Sequence, residues 1–126
     1  MTRRALMVMA LLLSACGSPA IGGSTDLTGG ADLFAATVLG NRPGCITCHS
    51  LEAGVNLVGP SIAGIGSVAG SRVEGVDAEK YLRQSIVEPN AHIVEGYEDD
   101  VMPEDYVLTL TDSQIEALVE YMEGLR

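Results

Sequence analysis

Apolar residues run unbroken over positions 5–13, then recur at helical spacing in separate stretches further along, with glycine-rich intervals between them. Residues 31–39 place Leu33, Phe34, Val38 and Leu39 on one side and are followed by Gly40 and Asn41, which predicts a first helix over that span. Asn41-Arg42-Pro43-Gly44 reads as a turn. Residues 53–75 are rich in glycine and small side chains without a dominant period, which predicts a loop. Asp77 suits a helix N-cap, Tyr81, Leu82, Ser85 and Ile86 would form an inner face, and Glu88-Pro89-Asn90 stops the helix after Val87. The last helix has the fullest set of signals. Thr111 and Gln114 form a capping box, Leu110 and Ile115 a hydrophobic staple across it, and Ile115, Leu118, Val119, Met122 and Leu125 then recur at helical spacing.

The N-terminus has a different character. Arg3 and Arg4 precede the run at 5–13, which is too short to span a bilayer and reads as the apolar core of an export signal. Leu13-Ser14-Ala15-Cys16 looks like a bacterial lipobox, in which the cysteine is lipid-modified and becomes the mature first residue. Thr2-Arg3-Arg4-Ala5-Leu6 faintly resembles a twin-arginine signal, a reading set aside in favour of the lipoprotein signal. Residues 17–30 hold five Gly, two Ser, two Thr and one Pro, which is linker chemistry. As a flexible coil this stretch reaches roughly 20 Å, enough for a tethered domain to swing between partners. The expected organisation is a lipoprotein signal peptide at 1–15, lipidated Cys16 and linker at 16–30, and one domain at 31–126. The expected location is a bacterial membrane, with the domain facing the periplasm or the cell exterior.

The chemistry lies in Cys45-Ile46-Thr47-Cys48-His49, whose Cys-x-x-Cys-His spacing reads as a c-type haem attachment site. Two thiols three positions apart can each add to one vinyl group on the rim of a single macrocycle. The histidine follows directly, so the same turn can bring its imidazole under the iron. Two other readings use the same residues. A thioredoxin-like pair would need a preceding strand-rich apolar run, which is missing before Cys45. A zinc site would need four tetrahedral ligands, and only His92 is a candidate to complete Cys45, Cys48 and His49. Gly64-Ile65-Gly66 with Gly70 has the wrong spacing for a phosphate-binding loop and no strand before it.

Composition adds a reason to expect a large apolar ligand. In 126 residues, 47% of them apolar, there is one Phe, four Tyr and no Trp. That allows one small domain but supplies few large side chains for a core with an unfavourable surface-to-volume ratio. A macrocycle burying on the order of 400 Å² of apolar surface would contribute roughly 10 kcal/mol at about 25 cal/mol per Å², comparable to the whole stability of an ordinary domain.

With these residues in view, the chain from about Gly30 onward resembles the small monohaem class I cytochromes c. The resemblance implies an all-α fold of three main helices around one covalently bound haem, with the first and last helices crossing. It implies that Gly30 and Phe34 of the first helix meet Tyr121 of the last. It implies that Pro60, in Gly59-Pro60-Ser61-Ile62, accepts the ring N–H of His49 through its carbonyl, fixing the tautomer and raising the basicity of the ligand. It also implies that Met102, stiffened by Pro103, is the sixth ligand, a soft sulfur donor that raises the reduction potential. His92 and Met122 are competing ligands, the first expected at the surface and the second in the core. Tyr81 could approach a haem propionate. The run from Val87 to Tyr97, followed by Met102-Pro103, looks most like the cytochrome c domains fused to some haem-copper oxidase subunits.

Charge narrows the partners. Loss of residues 1–15 removes two of the seven basic residues and none of the seventeen acidic ones. Nucleic acid and anionic lipid surfaces are therefore poor partners. Six acids, Glu95, Glu98, Asp99, Asp100, Glu104 and Asp105, surround the expected distal ligand and suit a redox partner with a basic or neutral face, such as a terminal oxidase or other respiratory complex. The expected function is a membrane-tethered single-electron carrier without bond chemistry of its own. The alternatives are a haem enzyme or gas sensor in which Met102 leaves the iron, and a structural zinc lipoprotein.

Overall fold

The computed structural model describes residues 27–126. The expected signal peptide at 1–15, Cys16 and the linker as far as residue 26 lie outside the described residues. Among the described residues, no helix is long and apolar enough to cross a membrane. Leu27 packs against the core and its carbonyl accepts from Gln114 Nε2 at 2.9 Å, so the end of the expected linker is part of the packed unit.

The first helix, α1, spans Gly30–Ala35 and stops short of the expected residue 39. Leu33 and Phe34 are buried as the pattern requires, but Val38 is 57% exposed. The spacing from Phe34 to Val38 imitates a helical face, while the chain has already turned into an antiparallel hairpin. Strand β1 (Val38–Leu39) pairs with β2 (Arg42–Pro43) across a turn in which Gly40 takes a φ of +62°, so half of the expected 41–44 turn is strand. Gly44 then passes so close to α1 that a Cβ there would lie 1.8 Å from the Ala36 carbonyl oxygen.

The expected loop at 53–75 also holds a helix. A short α2 (Ile65–Val68) continues into a 3-10 turn at Ala69–Ser71. Its glycines disfavour helix locally, and tertiary packing outweighs that preference. Ile65 and Ala69 are buried, and Gly66 lies against the end of the last helix, its N–H donating to the Leu125 carbonyl at 2.9 Å.

Helix α3 (Ala78–Val87) begins and ends where the sequence places it, with Asp77 Oδ1 accepting from the Lys80 N–H at 2.8 Å. Tyr81, Leu82 and Ile86 are buried on its inner face. A 3-10 turn at Pro89–Ala91 follows, and a short α4 (Tyr106–Thr109) leads into the last helix, α5 (Asp112–Gly124). Both halves of the Thr111–Gln114 capping box are formed, and Ile115, Leu118 and Val119 are buried.

Helices α1 and α3 both pack on α5. The α1–α5 crossing is made possible by Gly30, where a Cβ would lie 2.0 Å from the Ala117 carbonyl oxygen and 2.6 Å from Tyr121 Cβ. Beside it the Phe34 and Tyr121 rings meet at 5.8 Å between centroids, tilted by 43°. Helical elements therefore surround one core, and a large cavity opens into it.

Candidate functional site

The cavity wall begins at a tight turn. Cys45–Thr47 form one turn of 3-10 helix, closed by Cys48 N–H and His49 N–H donating to the Cys45 carbonyl at 3.1 and 2.9 Å. The Thr47 hydroxyl donates back to the Gly44 carbonyl at 2.6 Å. This winding sets Cys45, Cys48 and His49 on the same cavity. Burial pushes the Cys45 thiol up to about 11, so it is protonated at neutral pH. A redox-active cysteine pair works through a thiol with a lowered value, so this environment counts against the thioredoxin-like reading.

His49 is held from behind. Its Nδ1 lies 2.8 Å from the Pro60 carbonyl oxygen. A carbonyl only accepts, so Nδ1 carries the proton and the Nε2 lone pair is left for a Lewis acid. Gly59 N–H donates to the Cys48 carbonyl and Ile62 N–H to the Ser50 carbonyl, both at 2.9 Å, binding the 59–62 segment to the attachment turn. A Cβ on Gly59 would lie 2.5 Å from His49 Cε1, so the ring rests directly on glycine backbone. Sequence reading gave Pro60 a role and Gly59 none, although the two residues are adjacent.

Met102 lies half-buried on the same cavity. Its loop is fastened by Asn90, whose Nδ2 donates to Asp100 Oδ1 and Glu104 Oε1 at 2.6 and 2.7 Å and whose Oδ1 accepts from the Asp100 N–H at 2.9 Å. Asp100 has a φ of +58°, a conformation that aspartate tolerates better than most side chains. The loop is also tied to the hairpin leading into Cys45. Arg42 Nε donates to Asp105 Oδ2 at 2.8 Å, and the Tyr106 hydroxyl donates to the Pro43 carbonyl at 2.5 Å. Desolvation, with nearby cysteine and Asp105 charge, pushes the Tyr106 phenol up to about 12, so it remains a donor throughout the physiological range. These ties join residues 63 positions apart and left no local signal in the sequence.

Three expectations need correction. His92 is on the cavity wall, half-buried, with its ring edge-on to Tyr81 at 5.7 Å between centroids and 71° between planes, because the 3-10 turn after α3 folds it inward. Met122 joins the core only in part, since it too borders the cavity. Asp105 is half-buried and paired with Arg42, so it drops out of the six-acid face, whereas Glu95, Glu98, Asp99, Asp100 and Glu104 are exposed. Among the described residues, no group of three or more His, Cys, Asp or Glu side chains could hold a metal ion, which counts against the zinc reading. Cys16 lies outside the described residues.

A small helical shell folded round one apolar cavity, with a Cys-x-x-Cys-His turn at its wall, is the architecture of the small c-type cytochromes. The family model for cytochrome c matches residues 27–126, and the chain belongs to that family. No match is found among curated proteins. Family membership implies covalently bound haem c and a role in electron transfer. The residues here fit such a group. The glycine cradle under His49 and the tautomer set by Pro60 leave an imidazole lone pair available beside two thiols, inside a cavity walled by Phe34, Leu82, Ile86 and Leu118.

Proposed function

We propose that this chain is an exported, lipid-anchored carrier of single electrons that holds one haem c, attached through Cys45 and Cys48 and ligated by His49 and Met102. The observation that carries this reading is the cavity itself, which Cys45, Cys48, His49 and Met102 all line. Haem supplies a one-electron ferric/ferrous couple. The protein supplies two thiols as anchors, a basic imidazole oriented by Pro60, and a thioether sulfur presented by a loop that Asn90 restrains. Sulfur ligation favours the ferrous state and raises the potential. With His49 and Met102 both given to the iron, the site would suit electron transfer rather than bond chemistry there.

The proposed tether is a lipid on Cys16, holding the domain at a bacterial membrane on the periplasmic or exterior side. The chain's acidic character supports a redox partner with a basic or neutral docking face, and the oxidase-like run from Val87 to Tyr97 supports a place in a respiratory chain. Two measurements on the full-length protein test these claims. Haem should remain on the chain after denaturing electrophoresis, at one iron per polypeptide. Cys16→Ser should move the red protein from the membrane to the soluble fraction. Haem that dissociates on denaturation contradicts covalent attachment, and a C16S protein still held at the membrane contradicts the lipid anchor.

A further inference from the structure

The short helix α4 turns apolar side chains both inward and outward. Tyr106 and the following Leu110 are buried, whereas Val107 is 48% exposed and Leu108 86%, the most exposed large apolar side chain among the described residues. The hairpin is fastened to this helix by the Arg42–Asp105 pair, by the Tyr106 hydroxyl on the Pro43 carbonyl, and at Gly40, where a Cβ would lie 2.7 Å from Thr109 Cγ2. It adds a third exposed apolar side chain, Val38. None of these three borders the cavity, so a bound macrocycle would leave them uncovered, unlike Val58, Ile93 and Val101 on the cavity wall. Apolar side chains gathered outward on one tied unit mark a contact surface.

Two observations say what covers it. The first is where the chain enters the domain. The Leu27 carbonyl accepts from Gln114 Nε2 at 2.9 Å, and Gln114 belongs to the capping box that opens α5 directly after α4. Residues 17–26 are all that separate Leu27 from Cys16, so even a fully extended chain keeps a lipid on Cys16 within about 40 Å of this corner. A contact held on such a tether sees an effective concentration on the order of mM, so a surface too weak to bind membranes unaided is still occupied. The second observation is charge. Asp105 before α4 pairs with Arg42, Asp112 and Glu116 after it pair with Arg83, and Glu104 accepts from Asn90. In a chain with seventeen acids and seven bases, the charges flanking α4 are thus largely compensated, whereas Glu95, Glu98, Asp99 and Asp100 lie exposed on the loop before Met102.

We propose that Val107 and Leu108, with Val38, rest in the headgroup layer of a bilayer of zwitterionic lipid, so that the tethered domain lies on its own membrane by the α4 corner. The proposal rests on the lipid-anchor reading above. Side chains of this size enter the interface without crossing the bilayer, and among the described residues no helix is long and apolar enough to cross one. Neutral headgroups are the fitting chemistry, because the uncompensated acids elsewhere on the chain are repelled by anionic lipid. Since the three apolar residues lie off the cavity, this contact leaves the cavity free for a redox partner.

The test uses the full-length, haem-bearing, lipidated protein in phosphatidylcholine vesicles, with a nitroxide placed on Leu108→Cys or, as control, on Glu79→Cys. Glu79 is exposed and lies beside Glu120 and Glu123, toward the far end of α5. Cys16, Cys45 and Cys48 are all consumed on the reading above, so the introduced thiol alone takes the label. Both positions are exposed, so neither change disturbs the core. Paramagnetic resonance saturation then gives the accessibility of each label to oxygen relative to a water-soluble nickel chelate. On vesicles that ratio should rise several-fold at 108 over its value in the same labelled protein carrying Cys16→Ser in solution, and should not change at 79. Equal ratios at 108 in the two samples would overturn the proposal. So would a matching rise at 79, which would mean adsorption without a preferred face, or a rise at 108 that vanishes as protein is diluted in lipid, which would assign the patch to a second copy of the chain. Protein held on vesicles with a water-exposed label at 108 defeats only this inference, whereas protein absent from the vesicle fraction defeats the anchor reading beneath it.

Discussion

Replacing Cys45 and Cys48 together by alanine is expected to give a colourless chain that no longer unfolds cooperatively. The expected loss is on the order of 10 kcal/mol, from roughly 400 Å² of apolar macrocycle surface at about 25 cal/mol per Å². The structure shows why the effect is so large. Phe34, Leu82, Ile86, Leu110 and Leu118 belong to the buried core and also wall the cavity, so the space meant for the ligand is the middle of the core itself. Val58, Ile93 and Val101 border the same cavity and are otherwise exposed, adding unburied apolar surface to the chain without its ligand. With one Phe and no Trp, the sequence has no large side chains with which to fill the gap. Circular dichroism of C45A/C48A should show reduced helicity and a broad thermal transition. Native helicity with a sharp melt would contradict the account.

The second large effect concerns the α1–α5 crossing. Gly30→Ala should destabilise the protein by about 3 kcal/mol, the upper end of the overpacking range, because the added Cβ meets backbone rather than a side chain that could swing aside. The Ala117 carbonyl oxygen at 2.0 Å belongs to a helix capped at its start by Thr111 and Gln114, so relief requires the two helices to separate. Separation also loosens the Phe34–Tyr121 contact. For a domain of this size, a drop in melting temperature on the order of 15 °C follows. Gly124→Ala is the matched control, since a Cβ there meets nothing within 4 Å, and it should melt within a few degrees of wild type. Equal melting temperatures for G30A and G124A would show that the crossing is not set by Gly30.

Legibility from sequence followed the range of the interactions. Helices α3 and α5 were readable because Asp77, Pro89, Thr111 and Gln114 set their ends through contacts a few residues long that agree with the buried faces. The overextension of α1 and the omission of α2 have the opposite cause. Val38 sits at helical spacing from Phe34 while belonging to a hairpin, and Gly66 is helical only because it lies against the C-terminal end of α5. In the site, Cys45, Cys48 and His49 are neighbours in sequence and announce themselves, whereas Met102 and Pro60 entered only through family resemblance. The Asn90 clamp, the Arg42–Asp105 pair, the Tyr106–Pro43 bond and the inward turn of His92 all depend on where distant segments meet, and nothing in local composition marks them.

The central claim is that one iron is held between the His49 imidazole and the Met102 sulfur. The visible absorption spectrum of the ferric protein at neutral pH tests it most directly. The long-wavelength sulfur-to-iron charge-transfer band should be present and should persist when peroxide is added. A red protein lacking that band, or one in which a small ligand removes it at once, would contradict the account.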